Sequence, residues 1–188
     1  MEELIQLDKD FFLFLNGLGN SSWDGFWMFI TNKWGSIPFY LVLLVLSIKQ
    51  LGWKKTGVVL LGIAFLITVT DQLGNFFKYG IGRFRPCHDV EVSNLMRLVK
   101  RSCGGKFGFF SAHAASSMAL ANYFSIILGK ELKWLPGILF TWAILVGYSR
   151  IYIGVHYPGD VLFGIFVGLF FGWLFARIYG ISINRFQI

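Results

Sequence analysis

The stretch Val161-Leu-Phe-Gly-Ile-Phe-Val-Gly-Leu-Phe-Phe-Gly-Trp-Leu-Phe-Ala176 carries no charged side chain. It is too long for an ordinary strand. Its glycines Gly164, Gly168 and Gly172 recur every fourth residue, which suits a helix that packs closely on a neighbour within the same molecule. Four further uncharged runs, 34–48, 56–70, 107–129 and 134–149, have the same apolar character. A membrane-crossing helix needs roughly 20 mostly apolar residues. The second run extends through Asp71 to Phe77, and the first is expected to reach back past Lys33 towards Phe26. Lipid offers no water to an unpaired backbone, so runs of this length imply helices and not a barrel. The expected architecture is an all-α polytopic transmembrane helical bundle of about five spans, a single domain over residues 1–188.

Composition points the same way. Of 188 residues, 55% are hydrophobic, 19% are aromatic (with 21 Phe and 7 Trp) and only 14% are charged. Soluble domains carry about 25% charged residues. This excludes a soluble globule, a disordered tail and a disulfide-rich miniprotein. The N-terminus opens on Glu2 and Glu3 and lacks the basic leader of a signal peptide. Leu4, Leu7, Phe11, Phe12 and Leu15 then recur at helical spacing, with Asp8 and Asp10 elsewhere, which predicts an amphipathic helix in the membrane interface. A water-facing helix is the alternative. Trp23, Trp27 and Trp34 precede the first span, and Trp53 and Trp134 lie at span ends, so they read as aromatic belts.

The net charge is +7. Five spans divide the loops into two sets. One holds Lys49, Lys54, Lys55, Lys130, Lys133, Arg177 and Arg185. The other holds Lys9, Lys33, Arg150 and the long polar stretch 78–106 with Lys78, Arg83, Arg85, Arg97, Lys100, Arg101 and Lys106. A raw positive-inside count puts the long loop in the cytoplasm. If Lys78, Arg85 and Arg150 serve a ligand, they are not topology signals and the two sets balance.

Three clusters on the long-loop side carry chemistry: Lys78-Tyr-Gly-Ile-Gly-Arg-Phe-Arg85-Pro86, Phe110-Ser111-Ala112-His113, and Ser149-Arg150 followed by His156 and Asp160. Lys78, Arg85 and Arg150 stand at the ends of apolar helices. Three such cations repel one another and resist desolvation, so they call for an anion. Phosphate suits them, because arginine offers a planar fork and lysine a point charge. Ser111 and His113 lie where the third span begins, and free N–H groups at a helix start also favour an anion. His156 and Asp160 are four apart. On a helix, or in a turn at a helix start beside Pro158, the carboxylate can accept one imidazole proton and leave the other nitrogen free as a nucleophile. His113 is then a spare titratable group suited to protonating a leaving oxygen. Other readings stand beside this one: structural histidines, arginines that snorkel to head groups, or zinc on His113, His156 and Asp160. Against zinc, paired His/Cys spacing is lacking and adjacent cations repel a metal ion.

The order and spacing of these clusters resemble the type 2 phosphatidic acid phosphatase family, a branch of the phosphatidic acid phosphatase/haloperoxidase superfamily. Its signature is Lys, six residues, Arg-Pro; then Pro-Ser-Gly-His; then Ser-Arg, five residues, His, three residues, Asp. Here the first and third parts match at every defined position. In the second, Phe110 stands for Pro and Ala112 for Gly, while Ser111 and His113 are kept. The resemblance spans about Lys78 to Asp160. It implies a membrane lipid phosphatase that needs neither metal nor cofactor and works through a phosphohistidine. By resemblance, His156 attacks phosphorus, Asp160 orients it, His113 protonates the leaving oxygen, and Lys78, Arg85, Ser111 and Arg150 hold the phosphoryl oxygens. It implies an extracytoplasmic site too. The small size, with no large insertions, leads to the expectation of a bacterial protein and so of the inner membrane.

The implied partners are membrane lipids and a lipid phosphate, with no nucleic acid, and no feature specifies an oligomer. The family's bacterial substrates include undecaprenyl diphosphate, phosphatidylglycerophosphate, phosphatidate and lipid A. With no extra domain for a sugar-rich head group, the sequence leans towards undecaprenyl diphosphate or another lipid phosphate. A phosphotransferase of the same architecture and a non-catalytic lipid-phosphate carrier are the alternatives. Asp71, Asn75 and Lys78 share a helix face, so the first two are expected to hold the ammonium, with a plain packing contact as the alternative. Cys87 and Cys103 bracket the long loop. In an oxidising compartment they can pair, which is worth roughly 3 kcal/mol in the chain-entropy account; two free thiols are the alternative.

Overall fold

A computed structural model describes residues 2–32 and 34–187. Lys33, included in the charge count above, lies outside them. The elements are α1 (Glu2–Gly17), α2 (Ser21–Thr31), α3 (Ile37–Ile81), a single 3-10 turn at Pro86–His88, α4 (Ala112–Leu128), α5 (Leu135–Tyr152) and α6 (Pro158–Phe186). The described residues form no strand beyond one isolated antiparallel bridge between Phe84 and Phe107. Among the described residues, three helices, α3, α5 and α6, are long and apolar enough to cross a membrane.

Helix α3 is interrupted at Gly52, where φ is 77° and ψ is 170°, a conformation that glycine adopts without a Cβ penalty. Tyr40, Leu43, Leu44 and Ser47 before the break line the same apolar cavity as Val59, Leu60, Ile63 and Ile67 after it. Residues that far apart on one straight rod cannot meet, so the two limbs lie side by side. The described residues therefore form five long helical limbs. Leu43, Val59 and Leu66 of α3 join Leu120, Tyr123 and Phe124 of α4, Leu139 and Ala143 of α5 and Ala176 of α6 in the main core.

Several expected boundaries move. The first apolar run does not reach back to Phe26. Helix α2 ends at Thr31, Asn32 adopts an extended backbone, and α3 opens afresh with a proline in its first turn. The run 107–129 becomes helical only at Ala112, because residues 107–111 belong to the long loop. Trp23, Trp34, Trp53 and Trp134 are exposed. Trp27 is less exposed and packs against the rings of Tyr148 and Tyr152, at centroid distances of 4.9 and 5.2 Å.

Helices α4 and α6 approach backbone to backbone. A Cβ on Gly164 would sit 2.7 Å from the Ser111 carbonyl oxygen, and one on Gly172 would sit 2.5 Å from that of Ala119. Gly168 faces the Ala115 carbonyl in the same way. The four-residue glycine repeat thus meets a four-residue ladder of carbonyls, the close approach that small residues permit. This contact registers the start of α4 against the start of α6.

The N-terminal helices cap one end of the bundle. Leu4, Leu7, Phe11 and Phe14 of α1 are exposed, while Phe12 is buried with Val92, Ala114, Ile151, Tyr157 and Val161. Asn16 is buried in the protein. Its amide donates to the carbonyls of Arg97, Ile151 and Tyr152 at 3.0, 3.2 and 2.9 Å, and its oxygen accepts from the Arg97 N–H at 2.7 Å. One side chain thereby ties α1 to both the end of α5 and the long loop. Arg97 forms a two-pronged pair with Asp24 of α2, at 2.8 and 2.7 Å.

Candidate active site

The chain leaves α3 through Gly82, in the left-handed conformation at φ 67°. Residues 83–85 then run extended. The Arg85 N–H donates to the Lys106 carbonyl at 3.1 Å and the Gly108 N–H to the Arg83 carbonyl at 2.9 Å. Alternate side chains of an extended segment share a face. Phe84 stacks on Phe107 on the outside, at 5.7 Å between centroids. Arg83 and Arg85 therefore point together to the inside.

His156 sits in the connection between α5 and α6, not on a helix. Its N–H donates to the Arg150 carbonyl at 3.3 Å. Pro158 opens α6, and Asp160 occupies the third helical position, where its Oδ2 accepts the Tyr157 N–H at 3.0 Å. The same oxygen lies 3.4 Å from His156 Nδ1. The histidine–carboxylate contact is thus made across a turn at a helix start. Both side chains are enclosed, with His156 2% and Asp160 0% exposed. Ser111 caps α4, its hydroxyl oxygen accepting from the Ala114 N–H at 3.5 Å, and its own N–H donates to the Asp160 carbonyl at 3.0 Å. That backbone bond joins the second cluster to the third. His113 follows on the first turn of α4, exposed.

Lys78, Arg85 and Arg150 all lie within electrostatic reach of His156. Burial is the main cause that holds the His156 imidazole well below its ordinary pKa, and repulsion from Arg150, Arg85 and Lys78 adds to it. The ring is neutral at neutral pH. Arg85 donates to the carbonyls of Phe107 and Cys103, at 3.2 and 3.3 Å. Arg150 is only 5% exposed, bonds the Thr31 hydroxyl, and has an enclosed Nε with no hydrogen-bond partner among the described residues. A side chain this enclosed does not snorkel. An enclosed guanidinium N–H without a protein acceptor suits an anion.

Other expectations fare differently. Asp71 and Asn75 are exposed on α3. Asp71 acts on Lys78 only at a distance, and neither residue makes an ion pair or hydrogen bond with it among the described residues. Cys87 and Cys103 are joined, with Cα atoms 6.3 Å apart, and hold the long loop beside Arg85. The donor atoms of His113, His156 and Asp160 do not converge as a metal set. The cluster that does, Cys87, His88 and Cys103, has its two sulfurs bonded to each other. Phe110, the departure from the family pattern, is fully buried against Phe77 and Phe163, at 5.8 and 5.6 Å. Ala112, the other departure, faces Gly74 of α3.

Four residues at the site were not singled out from the sequence. Arg83, not Arg85, carries the direct ion pair to Asp160, at 3.0 Å, and a second to Asp8 of α1, at 2.6 Å. Burial alone would push the Arg83 guanidinium down, but Asp160 and Asp8 more than offset it and hold its pKa up. Thr31 reaches Arg150 from α2. Lys100, on the long loop, comes near enough to Arg150 and Arg85 that their repulsion, with desolvation as the larger cause, lowers its pKa. The alternation of residues 83 to 85 was the one available signal, and it serves Arg83 alone.

Residues 55–183 match the PAP2 superfamily. The chain is 37% identical over 180 residues to the lipid A 4'-phosphatase of Bacteroides thetaiotaomicron, covering 95% of this chain and 79% of that protein. It is 26% identical over 177 residues to the undecaprenyl-diphosphatase of Sulfolobus acidocaldarius, covering 94% and 81%. In fold it is similar to the transmembrane PAP2-type phosphatidylglycerolphosphate phosphatase of Bacillus subtilis, with a TM-score of 0.72 at 21% identity over 99% of this chain and 90% of that one. A family match that spans most of the bundle and all three motif clusters leaves one conclusion: the chain belongs to the PAP2 superfamily.

Proposed function

We propose that the protein is an integral-membrane lipid phosphatase that works through a phosphohistidine on His156. The observation that carries this reading is the enclosed pair His156–Asp160 facing Lys78, Arg85 and Arg150, with an Arg150 N–H that lacks a protein acceptor. In the first step the free imidazole nitrogen, Nε2, attacks phosphorus. The bond from phosphorus to the lipid oxygen breaks, and His113 supplies the proton that oxygen needs. Asp160 Oδ2, 3.4 Å from a Nδ1 that has no hydrogen-bond partner among the described residues, is placed to accept from Nδ1–H and to stabilise the imidazolium once the ring is phosphorylated. Lys78, Arg85, Arg150 and the Ser111 hydroxyl hold the phosphoryl oxygens. In the second step water attacks phosphorus, gives a proton to His113, and the P–N bond breaks to release phosphate. Positioning and charge stabilisation dominate such transfers.

The substrate is a lipid phosphomonoester or diphosphate whose tail stays in the bilayer. The stronger similarity to a lipid A 4'-phosphatase moves the expected substrate from undecaprenyl diphosphate to a lipid A-type monophosphate. The five limbs are read as five crossings of a bacterial inner membrane, with α1 in the interface. The joined cysteines favour an extracytoplasmic site, since such bonds persist in oxidising compartments. The test is phosphate release from a panel of lipid phosphates, in detergent with EDTA and no added acceptor. Release from a lipid A-type monophosphate supports the reading. Dependence on an added acceptor points to a phosphotransferase, and loss of activity in EDTA overturns the metal-free mechanism.

The lowered pKa of His156 has a pH signature. After allowance for substrate ionisation, kcat/KM should show no fall at the ordinary imidazole pKa of about 6.5, because the nucleophile stays unprotonated well below it. An acid limb at about 6.5 assigned to His156 contradicts this. Stability follows the same sign: the His156 contribution is complete above about 6.5 and is lost as pH falls towards the lower folded-state pKa, because the unfolded chain then binds the proton.

A further inference from the structure

Asp160 does not meet His156 alone. Its Oδ2 takes the Tyr157 N–H and faces His156 Nδ1, while its Oδ1 takes Arg83 Nη1 at 3.0 Å. Arg83 lies over the Tyr157 ring, 4.3 Å from its centroid, and passes its other nitrogen to Asp8 at 2.6 Å. The second oxygen of Asp8 accepts the Gly159 N–H at 2.8 Å, one of the unpaired donors at the start of α6. Glycine at 159 is part of this seat, since a Cβ there would fall 2.7 Å from Asp8 Oδ2. Gly108 closes the other side, where a Cβ would stand 3.3 Å from Asp160 Oδ2. A continuous chain of charge-assisted bonds therefore runs from α1 to the carboxylate that faces the nucleophile.

We propose that Asp8 and Arg83 are positioning residues for phosphoryl transfer, holding Asp160 and the start of α6 so that the carboxylate presents one fixed oxygen to His156. This rests on the reading of His156 as nucleophile. A buried carboxylate free to rotate would offer either oxygen to Arg83 or to Nδ1. The Arg83 fork removes that freedom, and Asp8 fixes the fork by holding its far nitrogen. Charge-assisted two-pronged contacts supply this kind of geometric control. Because Asp8 sits on α1, the control depends on that helix staying seated. Lys9, its neighbour, ties the same helix to Asp89 and Glu91, at 3.0 and 2.7 Å, without touching Arg83.

Those two tethers separate positioning from simple helix anchoring. Asp8→Asn, Asp8→Ala, Arg83→Gln, the Asp8→Ala/Arg83→Gln double variant and Lys9→Met are compared with wild type for kcat and KM on a lipid phosphomonoester. The Asp8→Ala and Arg83→Gln variants should lose on the order of tenfold to a hundredfold in kcat, with KM little changed, as small misplacements of reacting groups do. Asp8→Asn, which keeps the shape, should fall between them and wild type. The double variant should be no slower than Arg83→Gln, because the two residues act as one chain. Lys9→Met should keep wild-type kcat. The proposal is overturned if both Asp8 variants keep wild-type kcat, if their loss lies only in KM, or if Lys9→Met loses as much. An inactive wild-type protein would instead count against the phosphatase reading itself.

Discussion

His156→Ala is expected to abolish turnover, with a loss on the order of 10⁴-fold or more, while the lipid phosphate still binds. The nucleophile is the one group for which a neighbour cannot stand in; removing such a residue from a catalytic unit costs about as much as removing the unit. The cations Lys78, Arg85 and Arg150 remain, so KM should change little. Truncation also removes a neutral buried ring, not a charged one, so the protein should stay folded. The check is steady-state phosphate release together with a binding measurement on a non-hydrolysable lipid phosphonate. Turnover within about tenfold of wild type means another group attacks phosphorus or water attacks directly.

Gly168→Leu is expected to have the largest effect on stability. A Cβ at 168 would lie 2.8 Å from Met118 Cβ and 2.9 Å from the Ala119 nitrogen, with the Ala115 carbonyl oxygen nearer still. These are backbone or near-backbone atoms of α4, and they cannot swing aside as a long side chain does. Overpacking a core usually costs about 1–3 kcal/mol. Here the helices must separate, so a value at or above the top of that range follows, about a 6–12 °C lower Tm for a chain of this size. Activity should fall with it, because the Ser111–Asp160 backbone bond crosses the same interface. Gly180→Leu on the same helix is the control, since a Cβ there meets nothing within 4 Å. Thermal unfolding in detergent decides: equal Tm values for the two variants contradict this account of the glycine repeat.

What could be read from the sequence follows a physical division. Apolar runs are local, and five of them become five helical limbs. Gly164, Gly168 and Gly172 announce close packing by their spacing alone, and the carbonyls of Ser111, Ala115 and Ala119 supply the partner. Lys78, Arg85, Ser111, His113, Arg150, His156 and Asp160 stand out because their spacing is itself a motif. Contacts made at long range leave no such trace. Asp8 looked like the polar side of an amphipathic helix, yet it pairs with a residue 75 positions away. Trp27 shares the composition of an interfacial belt, which does not announce its packing on Tyr148 and Tyr152. Asp71, Asn75 and Lys78 share a helix face, but no hydrogen bond or ion pair joins them among the described residues, and Lys78 feels Arg85 and Arg150 as well as Asp71. The break after Thr31 was hidden because both sides of it are apolar, and Pro38 was the available sign of a new helix start.

The measurement that bears most directly on the central claim is acid-base trapping of the phosphoenzyme. Wild-type protein is mixed briefly with a lipid phosphomonoester labelled at phosphorus, in EDTA, quenched in base and mapped. The expected result is a label that survives base, is lost in acid, maps to His156, and is missing from His156→Ala. A label on a serine or a carboxylate, or full turnover with no labelled intermediate at any quench time, would contradict it.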